Sequence, residues 1–472
     1  MKKHLMLFGL LITFALSGCN APTPEPTASN ADSENLASLS FGDPNLRAFP
    51  NSSGWARTVS LEGRIDTSNP FFQSLGTNGR SCLTCHQPSE GWTVTPFGIQ
   101  SRFWFTYGKD PIFRLNDGAN SPKADVSSLQ ARRKAYSMLL TKGLIRIGLP
   151  IPANAEFTLE TVDDPYSFAS AGELSLFRRP LPSTNLNFLS AAMWDGRESI
   201  VDAAKHINLN ASLVQQSNDA TRGHAEGARD LTDSERQSIV NFETKLFTTQ
   251  VYDLEAGRLD AKGASGGPEA LSLQEFFIGI NDPLGLNPKG TAFDPSAMTL
   301  YMPWQNLTGD SELNEARRAV ARGQRIFNTK PINIVGVNGL NDALGVASIP
   351  GTCTTCHDSP NIGNHSVIAP LNIGLTDITR RTPDLPLYTL KNKLTLETIQ
   401  TTDPGRALVT GKWADIGKFK GPILRGLAAR APYFHNGSAP TLRDAVNFYN
   451  TRFSIGLTEA EMQDLVAFLR TI

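Results

Sequence analysis

Nucleic-acid binding is the first function for which this chain lacks the means. Its 472 residues carry 44 Lys and Arg against 45 Asp and Glu, a formal net charge of −1, so no basic surface awaits a phosphate backbone. Long apolar runs are missing as well. The one candidate, Leu5 to Leu16, is too short to cross a bilayer comfortably. No convincing series of alternating strands can be read along the chain, which points to a mainly α fold. Cysteine is nearly absent. There are five, and four of them fall into two copies of one short pattern, so none is left to complete a zinc site around either copy.

The copies are Cys82-Leu83-Thr84-Cys85-His86 and Cys353-Thr354-Thr355-Cys356-His357. C-x-x-C-H is the signature of covalent c-type haem attachment, in which two thiols bond the porphyrin edge and the next histidine reaches the iron. A thioredoxin-like redox pair or half a zinc site would need the trailing histidine to arise by coincidence twice. The sequence therefore predicts two haem c groups, one held by Cys82, Cys85 and His86, the other by Cys353, Cys356 and His357.

The fifth cysteine has its own explanation. Lys2 and Lys3 precede the apolar run, and Leu16-Ser17-Gly18-Cys19 ends it, as in a processed export signal. The ending resembles a bacterial lipoprotein signal, with residues 1–18 removed and Cys19 carrying the lipid; an ordinary secretory peptide cut nearby is the alternative. Both export the chain, and Asn20 after Cys19 points to the periplasmic side of an outer membrane. Residues 19–45, rich in Pro, Thr, Ser, Asn and Ala, cannot bury enough surface to fold and form a tether.

Beyond the tether, length suggests two to three domains. We expect an N-terminal haem domain over 46–290 and a C-terminal one over 291–472, with the Gly- and Pro-rich stretch from Gly263 to Pro303 as linker. Leu313, Ala316, Val320 and Phe327 share one face of a helix, and helical character recurs over 131–140 and 231–247. Thr458 and Glu461 open a terminal amphipathic helix bearing Leu465, Val466, Phe468 and Leu469. The expected architecture is two cytochrome c-like haem domains, mainly α, with long loops and insertions.

Trp194-Asp195-Gly196-Arg197 lies between the two haem motifs. After the second come Lys420-Gly421-Pro422-Ile423-Leu424-Arg425 and Pro432-Tyr433-Phe434-His435-Asn436-Gly437. In this order the motifs resemble the bacterial di-haem cytochrome c peroxidase and MauG family, from about Asn78 to the C-terminus with long insertions. The resemblance implies peroxide chemistry at the N-terminal haem, electron transfer at the C-terminal haem, and Trp194 as a relay between them.

It also implies a distal acid–base group. The family places a glutamate ten residues beyond the glutamine of a Leu-x-x-Gln element; here Leu213-Val214-Gln215-Gln216 leads at that spacing to Glu226. Glu226 is the first choice for moving a proton between peroxide oxygens, Gln216 for a hydrogen bond in the same pocket, and His224 could share or replace the role of Glu226. No histidine lies between His86 and His206, so the histidine that caps the first iron in many of these peroxidases has no counterpart, and an open first haem is expected.

At the second haem the family's distal methionine position, fourteen residues after His435, is Tyr449, as in MauG. A phenolate favours ferric iron where a thioether raises the potential; packing of Tyr449 on an apolar helical face, or ligation by His365, are the alternatives. Arg425 and His435 would contact propionates or order the interhaem region, with surface salt bridging as the alternative. A Ca²⁺ held by Asn185 and the carbonyls of Arg430 and Pro432 is further implied.

Three functions stay open: a peroxidase using hydrogen peroxide and a small cytochrome or cupredoxin as electron donor; a MauG-like oxidase of a protein or organic substrate; and a non-enzymatic, lipid-anchored electron carrier.

Overall fold

Two helices organise the C-terminal part of this computed structural model, which describes residues 47–203 and 206–472. The export signal, Cys19 and the tether lie outside the described residues. Ser311 caps the helix Glu312–Thr329 by accepting from the Asn314 N–H; Thr458, as the sequence predicts, caps Glu459–Leu469, in a reciprocal box with Glu461. The helices cross tightly at Gly323, where an added Cβ would stand 1.9 Å from the Asp464 carbonyl oxygen. Only glycine permits that approach. Val320, Phe327, Leu465 and Phe468 meet Tyr301 and Trp304 in the core beneath.

The stretch from Gly263 to Pro303 is not a free linker. Met298, Leu300 and Tyr301 are fully buried against these helices, and that apolar burial holds the segment in place. Helix Asp233–Glu243 ends earlier than expected, and Leu246–Asp253 continues as a strand.

The fold is mainly α with cytochrome c-like haem loops, but it carries strands that the sequence reading missed. The largest sheet is antiparallel in the order Phe49–Asn51, Gly54–Ser60, Leu246–Asp253, Gly257–Arg258. Its alternation is hidden because the interior is partly polar: Thr248, Thr249 and Gln250 are all buried, with Thr58 and Thr248 hydroxyls 2.8 Å apart. A second sheet pairs Phe157–Asp163 with Leu387–Asn392. That pairing laces the chain across residue 290. No described helix is long and apolar enough to cross a membrane.

Candidate functional site

Both C-x-x-C-H motifs adopt one local geometry. Each opens as a short 3-10 turn at Cys82–Thr84 or Cys353–Thr355, closed where the Ser81 N–H donates to Thr84 Oγ1 and the Thr352 N–H to Thr355 Oγ1, each at 3.0 Å. The His86 and His357 N–H groups then donate to the Cys82 and Cys353 carbonyls at 3.1 Å, and the turn carries the imidazole inward. His86 Nδ1 donates to the Trp92 carbonyl at 3.0 Å and His357 Nδ1 to the Gly363 carbonyl at 2.6 Å. A carbonyl can only accept, so each ring holds its proton on Nδ1 and presents Nε2 as a free donor to a metal. Burial lowers the pKa of His86 to about 4 and lowers that of His357, outweighing these carbonyl bonds. Burial also raises the thiols, Cys85 to about 11 and Cys353 and Cys356 to about 12.

One continuous cavity of about 440 Å³ takes in all four cysteines and both histidines. Around it stand buried cations without carboxylate partners among the described residues. Arg179 donates only to the carbonyls of Val94, Lys142 and Arg430, at 2.7, 3.0 and 3.1 Å, and Lys420 only to that of Ala191, at 3.1 Å. Arg425 reaches the Asn361 carbonyl at 3.0 Å while its Nε and Nη2 find no partner. Arg430 likewise bonds backbone carbonyls alone. Burial depresses all four, Lys420 to about 7 and the arginines to about 10. Unpaired charges are costly to bury, and the carboxylates of haem propionates would relieve that cost. Imidazoles, thiols and cations together fit haem c.

At the first motif the structure reorders the predicted acid–base group. His224 lines the cavity and donates Nδ1–H to Asp117 Oδ2 at 2.6 Å, and Asp117 is held by Arg80 at 2.5 Å. The Asn78 side chain and Arg80 grip the His224 carbonyl at 2.9 and 3.0 Å, and the chain closes so tightly that a Cβ on Gly76 would meet the Ala225 oxygen at 1.8 Å. Gln216 lines the same cavity from helix Leu209–Gly223. Glu226 does not. It is exposed, sits at φ +54°, and contributes only its carbonyl, to Thr77, because the turn that aims His224 inward swings the residue two positions on outward. The buried carboxylate on the cavity wall is instead Glu243, which burial raises to about 7 against a hydrogen bond from Ser183. No spacing in the sequence marks it.

The Trp194–Arg197, Lys420–Arg425 and Pro432–Gly437 motifs meet on the wall of the shared cavity. Trp194 donates Nε1–H to the Arg179 carbonyl at 2.8 Å and packs edge-on against His435, centroids 6.2 Å apart. His435 stacks on Phe419 at 4.0 Å, and neither of its ring nitrogens has a partner. Beneath them Arg178 clamps Asp403, at 2.7 and 2.9 Å, and Asp195, at 2.5 Å. Burial alone would raise Asp195, but Arg178 and Arg197 hold its carboxyl at about 2.

Tyr449 lines the cavity at the second motif from helix Leu442–Arg452, stacked with Phe453. Burial pushes its phenol up, and the Cys356 and Cys353 thiols add to the shift; no hydrogen bond to a described residue occupies it. His365 also lines the cavity, with Nδ1 on Asp358 at 2.8 Å.

The oxygens expected to hold calcium already carry hydrogen bonds. Asn185 spends both ends of its amide on the Thr248 backbone, at 2.9 and 3.0 Å, and the Arg430 carbonyl accepts from Arg179. Pro432 stands on the cavity wall beyond a cis Ala431–Pro432 bond, and the Arg179 guanidinium supplies positive charge at the Arg430 carbonyl.

A family model described as RoxA-like, cytochrome c-like matches residues 418–454, the segment that carries His435 and Tyr449. Cytochrome-c peroxidase IdrP1 of Pseudomonas sp. (strain SCT) is 27% identical over 220 residues, 38% of this chain and 57% of that protein. Cytochrome c peroxidase Ccp of Escherichia coli (strain K12) is 34% identical over 122 residues, 25% of this chain and 22% of that protein. The chain thus spans little more than half the length of the first of these relatives. A solved MauG-like protein associated with microbial copper homeostasis overlays 88% of this chain and 90% of its own at 15% identity, with a TM-score of 0.37, too loose a likeness to support an argument. By its relatives and by the order of its motifs, the chain is similar to the bacterial cytochrome c peroxidase and MauG family.

Proposed function

We propose that the chain is a di-haem c oxidoreductase that reacts with hydrogen peroxide at the haem of His86, with the haem of His357 as its redox partner. The observation that carries the reading is His224, aimed into the His86 end of a shared cavity by a buried carboxylate. Haem iron, when bound, would supply the two electrons that reduce the O–O bond. His224 Nε2 accepts a proton from one peroxide oxygen and returns it to the departing oxygen, while Asp117 keeps the ring oriented and stabilises its transient charge. Gln216 holds the substrate oxygen by hydrogen bonding. Two electrons from an external donor then restore the iron, and two protons taken up from solvent balance the conversion of one peroxide to two waters.

Trp194, on the wall of the shared cavity, is the proposed relay and Tyr449 the proposed far-side ligand of the second iron. Tyr449 favours a second reading, in which the oxidising equivalents go to a protein or organic substrate, because an oxygen ligand opposes easy electron entry from a high-potential cytochrome or cupredoxin. On either reading the chain is exported and tethered by lipid at Cys19 through residues 19–45, with haem domains over 46–290 and 291–472. An anchored electron carrier would not need His224 held by a buried carboxylate.

Stopped-flow absorbance of the fully oxidised protein tests the proposal. Hydrogen peroxide should shift the Soret band without prior reduction, and the shift should slow in His224→Gln. No reaction in either redox state of the protein refutes it.

A further inference from the structure

We propose that Asp282 and His365, with Asp358 orienting the imidazole, form a binding site for a divalent transition-metal ion beside the second haem motif, separate from the haem iron. Among the described residues this trio forms the grouping of three His, Cys, Asp or Glu whose ligand atoms all lie within 4.8 Å of one another. All three are buried, at 1%, 0% and 3% exposure for Asp282, Asp358 and His365.

The hydrogen-bond pattern leaves ligand positions open. Asp358 accepts from His365 Nδ1 at 2.8 Å and from the Ser366 N–H at 2.8 Å. The imidazole thereby keeps its proton on Nδ1, and Nε2, buried and without a partner, has its lone pair free. A carboxylate behind a histidine is how metal-binding imidazoles are held. Asp282 Oδ2 accepts from the N–H groups of Leu284 and Leu286, at 3.1 and 2.8 Å, while Oδ1 is buried and unpartnered. Ser359 Oγ, Asn364 Oδ1 and Ser366 Oγ are further unpartnered oxygens on the same loop.

Charge selects the occupant. No lysine or arginine among the described residues forms an ion pair with Asp282 or Asp358, so two buried carboxylates share one histidine. His365 also borders the haem cavity, but a propionate there would add a third negative charge, whereas a cation offsets two. One imidazole with carboxylate oxygens suits Zn²⁺, Mn²⁺ or Fe²⁺ better than Ca²⁺ or Mg²⁺, which prefer oxygen alone.

The ion would join two segments at the proximal side of the second haem. Asn281 Nδ2 already donates to the Asp358 carbonyl at 3.0 Å, and the Gly279 N–H to that of Ser366 at 3.0 Å. Between Asp358 and His365 lies Gly363, whose carbonyl orients His357. A metal there would stiffen that contact.

The test uses the haem-loaded protein, stripped with chelator, incubated separately with Zn²⁺ and Mn²⁺, and analysed for metal beyond the haem iron. About one equivalent should be retained, and X-ray absorption at the zinc edge of the unmodified protein should show nitrogen and oxygen donors including one imidazole. Asp282→Asn and His365→Gln should each weaken retention roughly tenfold or more with haem content unchanged. Failure of the unmodified protein to hold either metal overturns the site, as does a zinc shell without imidazole. Unweakened binding in both variants also overturns it. These readouts are independent of peroxide reactivity.

Discussion

His224 and Asp117, 107 positions apart in the chain, are joined by a 2.6 Å hydrogen bond from Nδ1 to Oδ2. Burial works against the Asp117 carboxylate, but His224 and Arg80 hold it below the usual range, so it stays charged through mild acid. Asp117→Asn should retain both haems and lose about 10- to 100-fold in peroxide turnover, as expected when a partner that orients a functional histidine is removed. Initial rates of peroxide consumption check this.

Glu226→Gln provides the contrast. The exposed side chain lies off the cavity, so turnover should stay within about twofold of the unmodified protein, and stability within about 0.5 kcal/mol. A loss as large as that of Asp117→Asn would return the acid–base role to Glu226.

Tyr449→Phe should alter the spectrum of the second haem and leave that of the first unchanged. The phenol is pushed up by burial, and a bound ferric ion would reverse that balance and favour the phenolate. Tyr449→Met should raise the midpoint potential of that haem, measured by spectroelectrochemical titration. An unchanged spectrum in Tyr449→Phe removes the tyrosine from the iron.

Trp194→Phe deletes the donor to the Arg179 carbonyl, a half-buried bond worth about 1 kcal/mol. Both haems should remain, with slower redistribution of electrons between them after rapid mixing with a substoichiometric reductant.

Glu243 gives the stability a pH dependence of definite sign. Its folded pKa, about 7 through burial, lies above the unfolded value of about 4.3. The folded state binds the extra proton between these limits, so this group's contribution to stability is greatest below pH ~4.3 and is lost as pH rises towards about 7. Chemical denaturation of Glu243→Gln across that window should show a flatter profile than the unmodified protein.

The local features of this chain were legible because each depends on neighbours in sequence. The haem turns, the Thr458 cap and the buried stripe of the helix Glu312–Thr329 each arise from residues one to four positions apart. The strand Leu246–Asp253 was not legible. Its buried threonines and Gln250 take their partners from distant segments, as Thr248 does from Thr58 and Asn185, which erases the apolar alternation. The same holds for the linker from Gly263 to Pro303, whose apolar side chains found a core that composition could not announce.

Sequence alone determined which atoms can bind haem: two thiols and an imidazole, twice, in a spacing that only a short turn can satisfy. Tertiary structure decided what surrounds them. A turn two residues long separates an inward His224 from an outward Glu226, and the Arg179 guanidinium takes a carbonyl expected to bind calcium. The reason is physical. Covalent attachment is encoded by contiguous residues, whereas proton transfer, charge compensation and metal binding depend on the direction and burial of side chains brought together from separate segments of the chain.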